Sequence, residues 1–140
     1  MFSSIQPKDL NVQVQKPKVL IVEDENIVAE DIRERLEALG YGIIGITDSG
    51  REAIELAKRH SPDLVMMDIH IKTDLNGVEA AICIQGLFER TIPIVFVSGY
   101  SVQDFPEIGA VYPYTILKKP FSDEELNSTI LNVRQNSKPS

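Results

Sequence analysis

Short apolar runs alternate with segments of helical periodicity along most of the chain. Each apolar run is typical of a strand, and each following segment repeats apolar residues every three or four positions, as an amphipathic helix does. The predicted strands are 19–22, 41–46, 64–67, 92–97 and 114–117. The predicted helices are 26–39, 50–60, 77–89, 101–110 and a last one that begins after Ser122.

Capping residues support several of these boundaries. Gly40 ends the first helix, and Asp48 or Ser49 caps the second. The last helix follows Ser122 in the pattern S-D-E-E, a capping box. Pro106 interrupts segment 101–110, which predicts a short or irregular helix there.

Strands that alternate with helices predict an α/β fold. Most of the strands are apolar throughout, which indicates a parallel sheet covered by helices on both faces. The leading architecture is therefore a doubly wound, five-stranded parallel sheet with five helices. We predict a flexible N-terminal tail over 1–17, one folded domain over 18–135 and a C-terminal tail over 136–140.

Composition narrows the class of protein. A chain of 140 residues with 43% hydrophobic and 25% charged residues is suited to one globular domain. The net charge of −7 argues against direct binding to nucleic acid, and no run of about 18 apolar residues predicts a membrane span. The single cysteine, Cys83, fits a reducing cytoplasm, and its apolar neighbours predict that it is buried.

Charged and polar residues follow four of the predicted strands where each strand ends. Because the carboxyl ends of parallel strands share one edge of a sheet, these side chains are expected to converge where open α/β sheets bind ligands. They are Glu23, Asp24 and Glu25 after the first strand, Asp68 after the third, Ser98 after the fourth, and Lys118 and Lys119 after the fifth.

A cluster of carboxylates needs a compensating cation. Two carboxylates about 4 Å apart repel by roughly 4 kcal/mol at an effective dielectric constant near 20. Mg²⁺, which takes one or two carboxylates and retains waters, suits the cluster, with Asp24 as a ligand and Glu25 in a solvated loop. Asp68 is then a candidate nucleophile that forms an acyl phosphate, while Ser98 and Lys119 contact the phosphoryl oxygens.

Four motifs in the expected order resemble the receiver domain of two-component response regulators. They are LIVEDE at 20–25, VMMDI at 65–69, FVSGY at 96–100 and LKKPF at 117–121. The resemblance covers about residues 17–135. It implies a flavodoxin-like fold with strand order 2-1-3-4-5.

The resemblance also implies a role for each site residue. Asp68 would accept a phosphoryl group from a phosphohistidine of a sensor histidine kinase, as one step of a phosphorelay. Asp24 and Asp68 would bind Mg²⁺ together with the backbone carbonyl of His70, and Glu23 would act through a water. Lys119 would pair with the phosphoryl oxygens, and Ser98 would swing toward them and carry the signal.

A phosphorylation-dependent switch is the implied function. The family is not a class of enzymes beyond self-catalysed phosphoryl transfer and slow autodephosphorylation. The surface formed by 101–110, 114–117 and the last helix would change its affinity for a downstream protein target, and phosphorylation-dependent homodimerisation is left open. We expect a stand-alone cytoplasmic receiver without an output domain, nucleic-acid contact or membrane contact.

Three features depart from the family pattern. Lys72 stands where the family often has proline, four residues after the acceptor, and Pro106 disturbs the fourth helix. Ile116 replaces the usual aromatic residue three positions before the lysine, with Tyr100, Tyr112 and Tyr114 as substitutes.

His70 and Tyr100 flank the acceptor and the serine, and we expect their bulk to prolong the life of the phosphoryl form.

Other functions fit the residues less well. A cobalamin-binding domain would have glycine at Thr73, and an aspartate-based phosphatase would have D-x-D, whereas Asp68 is followed by Ile69 and His70. A nucleotide-binding domain would need a glycine-rich loop after the first strand. A degenerate receiver that is never phosphorylated would not need all of the matched acidic and basic residues.

Overall fold

The computed structural model describes residues 16–99 and 105–136. The strands are β1 Lys18–Val22, β2 Gly42–Thr47, β3 Leu64–Asp68, β4 Ile94–Ser98 and β5 Tyr114–Lys118. The α-helices are α1 Asn26–Ala38, α2 Gly50–His60, α3 Gly77–Gly86 and α4 Asp123–Asn136, and a 3₁₀ helix covers Pro106–Ala110. Residues 1–15 and 137–140 of the predicted tails lie outside the described ranges.

The five strands form one parallel sheet in the order β2-β1-β3-β4-β5, which confirms the predicted fold class and strand order. The chain passes from β1 outward to β2 and then crosses back to β3, so the order reverses between β1 and β3. Open α/β sheets bind ligands beyond the carboxyl ends of the strands at such a reversal. The residues that follow β1 and β3 therefore border the expected site.

Alternating side chains of the strands build two separate cores. Val19 and Ile21 of β1 pack with α1 and α4 on one face of the sheet. Leu20 and Val22 pack with α2, α3 and the segment around the 3₁₀ helix on the other face. The doubly covered sheet explains why β1, β3 and β4 each contain four consecutive buried apolar residues.

The last helix begins as its sequence predicts. The Ser122 hydroxyl accepts a hydrogen bond from the Glu125 N–H at 3.0 Å, and the Glu125 carboxylate accepts one from the Ser122 N–H at 3.0 Å. This reciprocal pair satisfies two N–H groups that have no partner within the helix. The start of α4 fixes the chain just after Lys119 and so helps to hold the end of β5 in place.

The fourth predicted helix, over 101–110, is short and irregular in the part that the structure describes, as Pro106 indicates, so the described residues contain four α-helices and not five. Residues 106–110 form a 3₁₀ helix instead, and 101–104 lie outside the described ranges. Pro106 at the first turn supplies no N–H, and Gly109 lowers helix propensity, so a longer α-helix is disfavoured. In the part of the chain that the structure describes, the element that borders β5 on this side is therefore the 3₁₀ helix alone.

Cys83 corrects a second prediction, because its side chain is exposed and not buried. The buried residues of α3 include Val78, Ala81 and Ile84, which recur every three positions and define the inner face. Cys83 falls on the opposite side of the helix. Its apolar neighbours in sequence did not reveal that side, since α3 is apolar nearly all round.

Within residues 16–99 and 105–136, no helix combines the length and the apolar composition that a membrane-spanning helix requires.

Candidate functional site

The first strand ends in an acidic turn at the point where the sheet order reverses. The Glu23 N–H donates to the carbonyl of Thr47, the last residue of β2, at 2.9 Å, and Glu23 is only 2% exposed. Asp24 and Glu25 follow and are exposed. One carboxylate oxygen from each of these three residues lies within 4.8 Å of the other two. The turn therefore gathers three carboxylates at one place.

Asp68 ends β3, beside that turn. Its carboxylate accepts a hydrogen bond from the His70 N–H at 2.9 Å and is only 6% exposed. The carbonyl of Asp68 lies against the start of α3, where a Cβ atom added to Gly77 would come within 2.7 Å of the carbonyl oxygen. Helix α3 can approach Asp68 this closely because residue 77 has no side chain.

Lys119 closes the site from the β5 side. Its N–H donates to the Ser98 carbonyl at 2.9 Å, which continues the sheet ladder beyond the strand ends. Its ammonium lies 3.3 Å from the buried Glu23 carboxylate. Lys118, one residue earlier, is exposed. The pair of lysines thus divides into one that faces the acidic cluster and one that faces solvent.

These elements surround a single cavity of about 500 Å³. Asp24, Asp68, His70 and Lys119, all chosen from the sequence, lie on its wall, and they are joined there by Glu25, Lys72 and Gly99. Glu23 lies beneath the wall and contacts Lys119. Ser98 is buried next to the cavity, and its hydroxyl lies 3.2 Å from Nε2 of His70. The structure therefore brings all of the predicted site residues together.

Lys72 was not assigned to the site from the sequence, although its position was noted as unusual. Ile69 and Ile71 are buried, so the intervening residue His70 and the next residue, Lys72, are directed to the cavity side of this loop. The alternation of apolar and polar residues directly after Asp68 was the sequence pattern that could have placed Lys72 at the site. Lys72 adds a second positive charge to the rim of an otherwise acidic cavity.

The electrostatics of the cluster centre on Glu23. The pKa of the Glu23 carboxyl is raised from 4.5 to about 7, first by burial and then by the negative charge of Asp68. The Glu25 N–H and the Lys119 ammonium lower it again in part. One lysine therefore does not compensate the acidic groups at neutral pH. The hard oxygen donors and the uncompensated negative charge both fit a divalent cation such as Mg²⁺.

The raised pKa of Glu23 should make the stability of the domain depend on pH in an unusual direction. A carboxyl whose pKa is higher in the folded state binds more protons there, so its contribution to stability is complete below the unfolded value and is lost as pH rises. Without divalent cations, we expect the thermal midpoint to fall between about pH 4.5 and pH 7 because of Glu23. Thermal unfolding in EDTA, compared between the wild type and Glu23→Gln, isolates this effect.

The matched variant and the metal give two controls. Glu23→Gln should remove most of the decline over this pH range, and Mg²⁺ should raise the wild-type midpoint more at pH 8 than at pH 5. Identical pH profiles for the two proteins would contradict the assigned electrostatics.

Known proteins are similar to this chain in sequence and in fold. The family model described as the response regulator receiver domain matches residues 19–131, which span the sheet and reach into α4. The chain belongs to the response regulator receiver domain family. Members are phosphorylation-dependent signalling domains and not enzymes in the usual sense, and they bind Mg²⁺ at an acidic pocket.

Related receiver proteins resemble this domain in sequence. Transcriptional regulatory protein PdtaR of Mycobacterium tuberculosis is 40% identical over 113 residues, which cover 78% of this chain and 52% of that protein. Polar-differentiation response regulator DivK of Brucella ovis is 37% identical over 86 residues, covering 61% of this chain and 68% of DivK. The chain spans about half the length of several curated relatives it matches.

Solved receiver structures share the fold. The signal receiver domain of a modulated diguanylate cyclase from Desulfovibrio desulfuricans G20 has a TM-score of 0.79 at 34% identity, covering 88% of this chain and 97% of that one. Chemotaxis protein CheY4 of Vibrio cholerae has a TM-score of 0.74 at 27% identity, covering 85% and 99% of the two chains. Receiver architecture therefore extends over the whole sheet.

Proposed function

We propose that Asp68 is the phosphoacceptor of this receiver domain and that a sensor histidine kinase is the donor. The observation that carries the proposal is the convergence of Asp24, Asp68 and Lys119 on one cavity at the sheet reversal. In the transfer, an Asp68 carboxylate oxygen forms a bond to phosphorus and the P–N bond of phosphohistidine breaks. The bonding electron pair goes to the histidine nitrogen, and Asp68 becomes an acyl phosphate.

The residues around Asp68 support this chemistry through charge and position. Asp24, Asp68 and the backbone carbonyl of His70 would hold Mg²⁺, with Glu23 acting through a water. Bound Mg²⁺ would neutralise negative charge on the phosphoryl oxygens. Lys119 supplies a fixed positive charge to the same oxygens, and its contact with Glu23 holds the ammonium beside Asp68. Slow attack of water on phosphorus later restores the carboxylate.

The signal would leave the site through protein contacts. We assign this role to the surface formed by the 3₁₀ helix Pro106–Ala110, β5 and α4. Tyr112, just before β5, and Leu131 on α4 expose apolar area suited to a protein partner or to a second copy of the domain. The net charge of −7 favours protein partners over nucleic acid. The exposed free thiol of Cys83 suits a reducing compartment, and we place the exchange in the cytoplasm.

Phosphoryl uptake from acetyl phosphate tests the proposed acceptor. With Mg²⁺ present, intact mass measurement should show one added phosphoryl group on the wild-type protein and none on Asp68→Ala. Asp74→Asn is the matched control, because Asp74 is an exposed aspartate a few residues along the same loop. Uptake by Asp68→Ala at the wild-type level would refute the proposal.

A further inference from the structure

One side chain connects the buried serine to the wall of the cavity. Nε2 of the His70 ring lies 3.2 Å from the Ser98 hydroxyl, and the backbone N–H of His70 donates to the Asp68 carboxylate at 2.9 Å. Ser98 is 1% exposed at the end of β4, the neighbouring strand of β3. His70 is therefore hydrogen-bonded both to the proposed acceptor and to the serine beside it.

The ring of His70 also contacts Phe105, the residue just before the 3₁₀ helix. The centroid of the Phe105 ring lies 5.3 Å from that of His70, with an interplanar angle of 70°, a preferred edge-to-face geometry. Phe105 is half-buried against the core on the α3 side. It precedes the 3₁₀ helix, and its carbonyl accepts a hydrogen bond from the Ile108 N–H at 3.1 Å. A shift of Phe105 would therefore be transmitted to the 3₁₀ helix.

No aromatic ring stands at position 116 to couple Ser98 to the surface. Ile116 is paired with Phe96 in the sheet and packs into the same core as its neighbours. Tyr114 packs edge-to-face on Phe96, with ring centroids 5.8 Å apart, and so is occupied within the core. Tyr112 is largely exposed, and Tyr100 lies outside the described residues. Among the aromatic rings whose contacts the structure describes, Phe105 is the one that packs on His70, and His70 in turn is hydrogen-bonded to Ser98.

We propose that His70 is a positioning residue that holds the Ser98 hydroxyl before phosphorylation and couples its release to Phe105 and the 3₁₀ helix. The inference rests on Asp68 being the phosphoacceptor. A phosphoryl group adds roughly −1.5 to −2 charge and three strong acceptor oxygens. The Ser98 hydroxyl then turns toward these oxygens and leaves Nε2 of His70. The His70 ring, without that contact, repacks against Phe105.

NMR amide spectra of ¹⁵N-labelled protein can follow both the cavity and the 3₁₀ helix. Gly109 lies in the 3₁₀ helix and Gly99 lies on the cavity wall, and glycine amides are well separated in such spectra. Beryllium fluoride with Mg²⁺ serves as a stable analogue of the phosphoryl group on Asp68. In the wild type, we expect both amide resonances to move on addition of this analogue.

Variants of His70 and Phe105 separate binding of the phosphoryl analogue at the cavity from the response of the 3₁₀ helix. In His70→Ala, Gly99 should still respond, whereas the displacement of Gly109 should shrink several-fold. Phe105→Leu should give the same split response, and Phe105→Tyr should restore the wild-type response because the edge-to-face contact is retained. His60→Ala is the control, since His60 is an exposed histidine at the end of α2.

Each outcome bears on one proposal. A Gly109 displacement in both His70→Ala and Phe105→Leu equal to that of the wild type would overturn the coupling role of His70. A wild-type protein in which Gly99 moves and Gly109 does not would also overturn it. Absence of any response in the wild type, together with absence of phosphoryl uptake, would instead count against Asp68 as the acceptor. If His70→Ala does not fold, Phe105→Leu alone decides the coupling.

Discussion

Replacing Lys119 with methionine should slow phosphoryl uptake from acetyl phosphate by about 10²–10³-fold, the usual cost of removing one preorganised group that stabilises transition-state charge. Lys119 lies on the cavity wall, where its ammonium is 3.3 Å from the Glu23 carboxylate and its backbone N–H is hydrogen-bonded to the Ser98 carbonyl. Methionine preserves the length and packing of the stem but removes the charge. The rate of appearance of the phosphorylated mass measures the effect directly.

Lys118→Met provides a closely matched control. Lys118 is the preceding residue, carries the same charge and points to solvent at the end of β5. Its replacement should change the uptake rate by less than about threefold, because an exposed charge is screened by water and salt. Equal slowing in the two variants would show that overall charge, and not the position of Lys119, governs the rate.

Gly77→Ala should destabilise the domain by about 1–3 kcal/mol, as overpacking of a fitted contact does. The added Cβ atom would lie 2.7 Å from the Asp68 carbonyl oxygen and 3.0 Å from Cα of Ile69. Both neighbours are backbone atoms, so the strain can be relieved only by moving the end of β3 or the start of α3. Urea unfolding measures the loss, and phosphoryl uptake should fall with it because Asp68 is displaced.

Gly86→Ala tests the same substitution at the other end of α3. Apart from the adjacent residues and the backbone of α3 itself, no described atom lies within 4 Å of a Cβ added at Gly86, and Gly86 does not adopt a positive φ. Alanine there should leave stability unchanged or raise it by up to about 1 kcal/mol, because it reduces the freedom of the unfolded chain. Destabilisation by Gly86→Ala as large as that by Gly77→Ala would mean that the loss does not come from the close contact between residue 77 and Asp68.

The sheet was predictable because burial on both faces leaves a clear signature. Strands β1, β3 and β4 each contain a run of four apolar residues, and the polar site residues come directly after that run. That pattern is sufficient to place Asp24, Asp68, Ser98 and Lys119 at one edge of the sheet. The strand order also followed from the motifs, once their resemblance to receiver domains was taken into account.

The features that escaped prediction depend on contacts between distant segments. The pairing of Lys119 with Glu23 joins residues 96 positions apart, and no local pattern encodes it. The exposed side of α3 depends on which face meets the sheet, so the apolar neighbours of Cys83 were misleading. The close approach of Gly77 to Asp68 likewise results from packing. The irregularity near Pro106, in contrast, has a local cause and was predicted from the sequence.

Chemical trapping of the phosphorylated residue tests the central claim most directly. Hydroxylamine attacks the carboxyl carbon of an acyl phosphate, releases phosphate and leaves a hydroxamate on the side chain that carried it. After incubation with acetyl phosphate and Mg²⁺, digestion and peptide sequencing by mass spectrometry should place this mark on Asp68. The mark should be absent when EDTA replaces Mg²⁺. A hydroxamate on Glu23 or Asp24 with Asp68 unmodified would contradict the account.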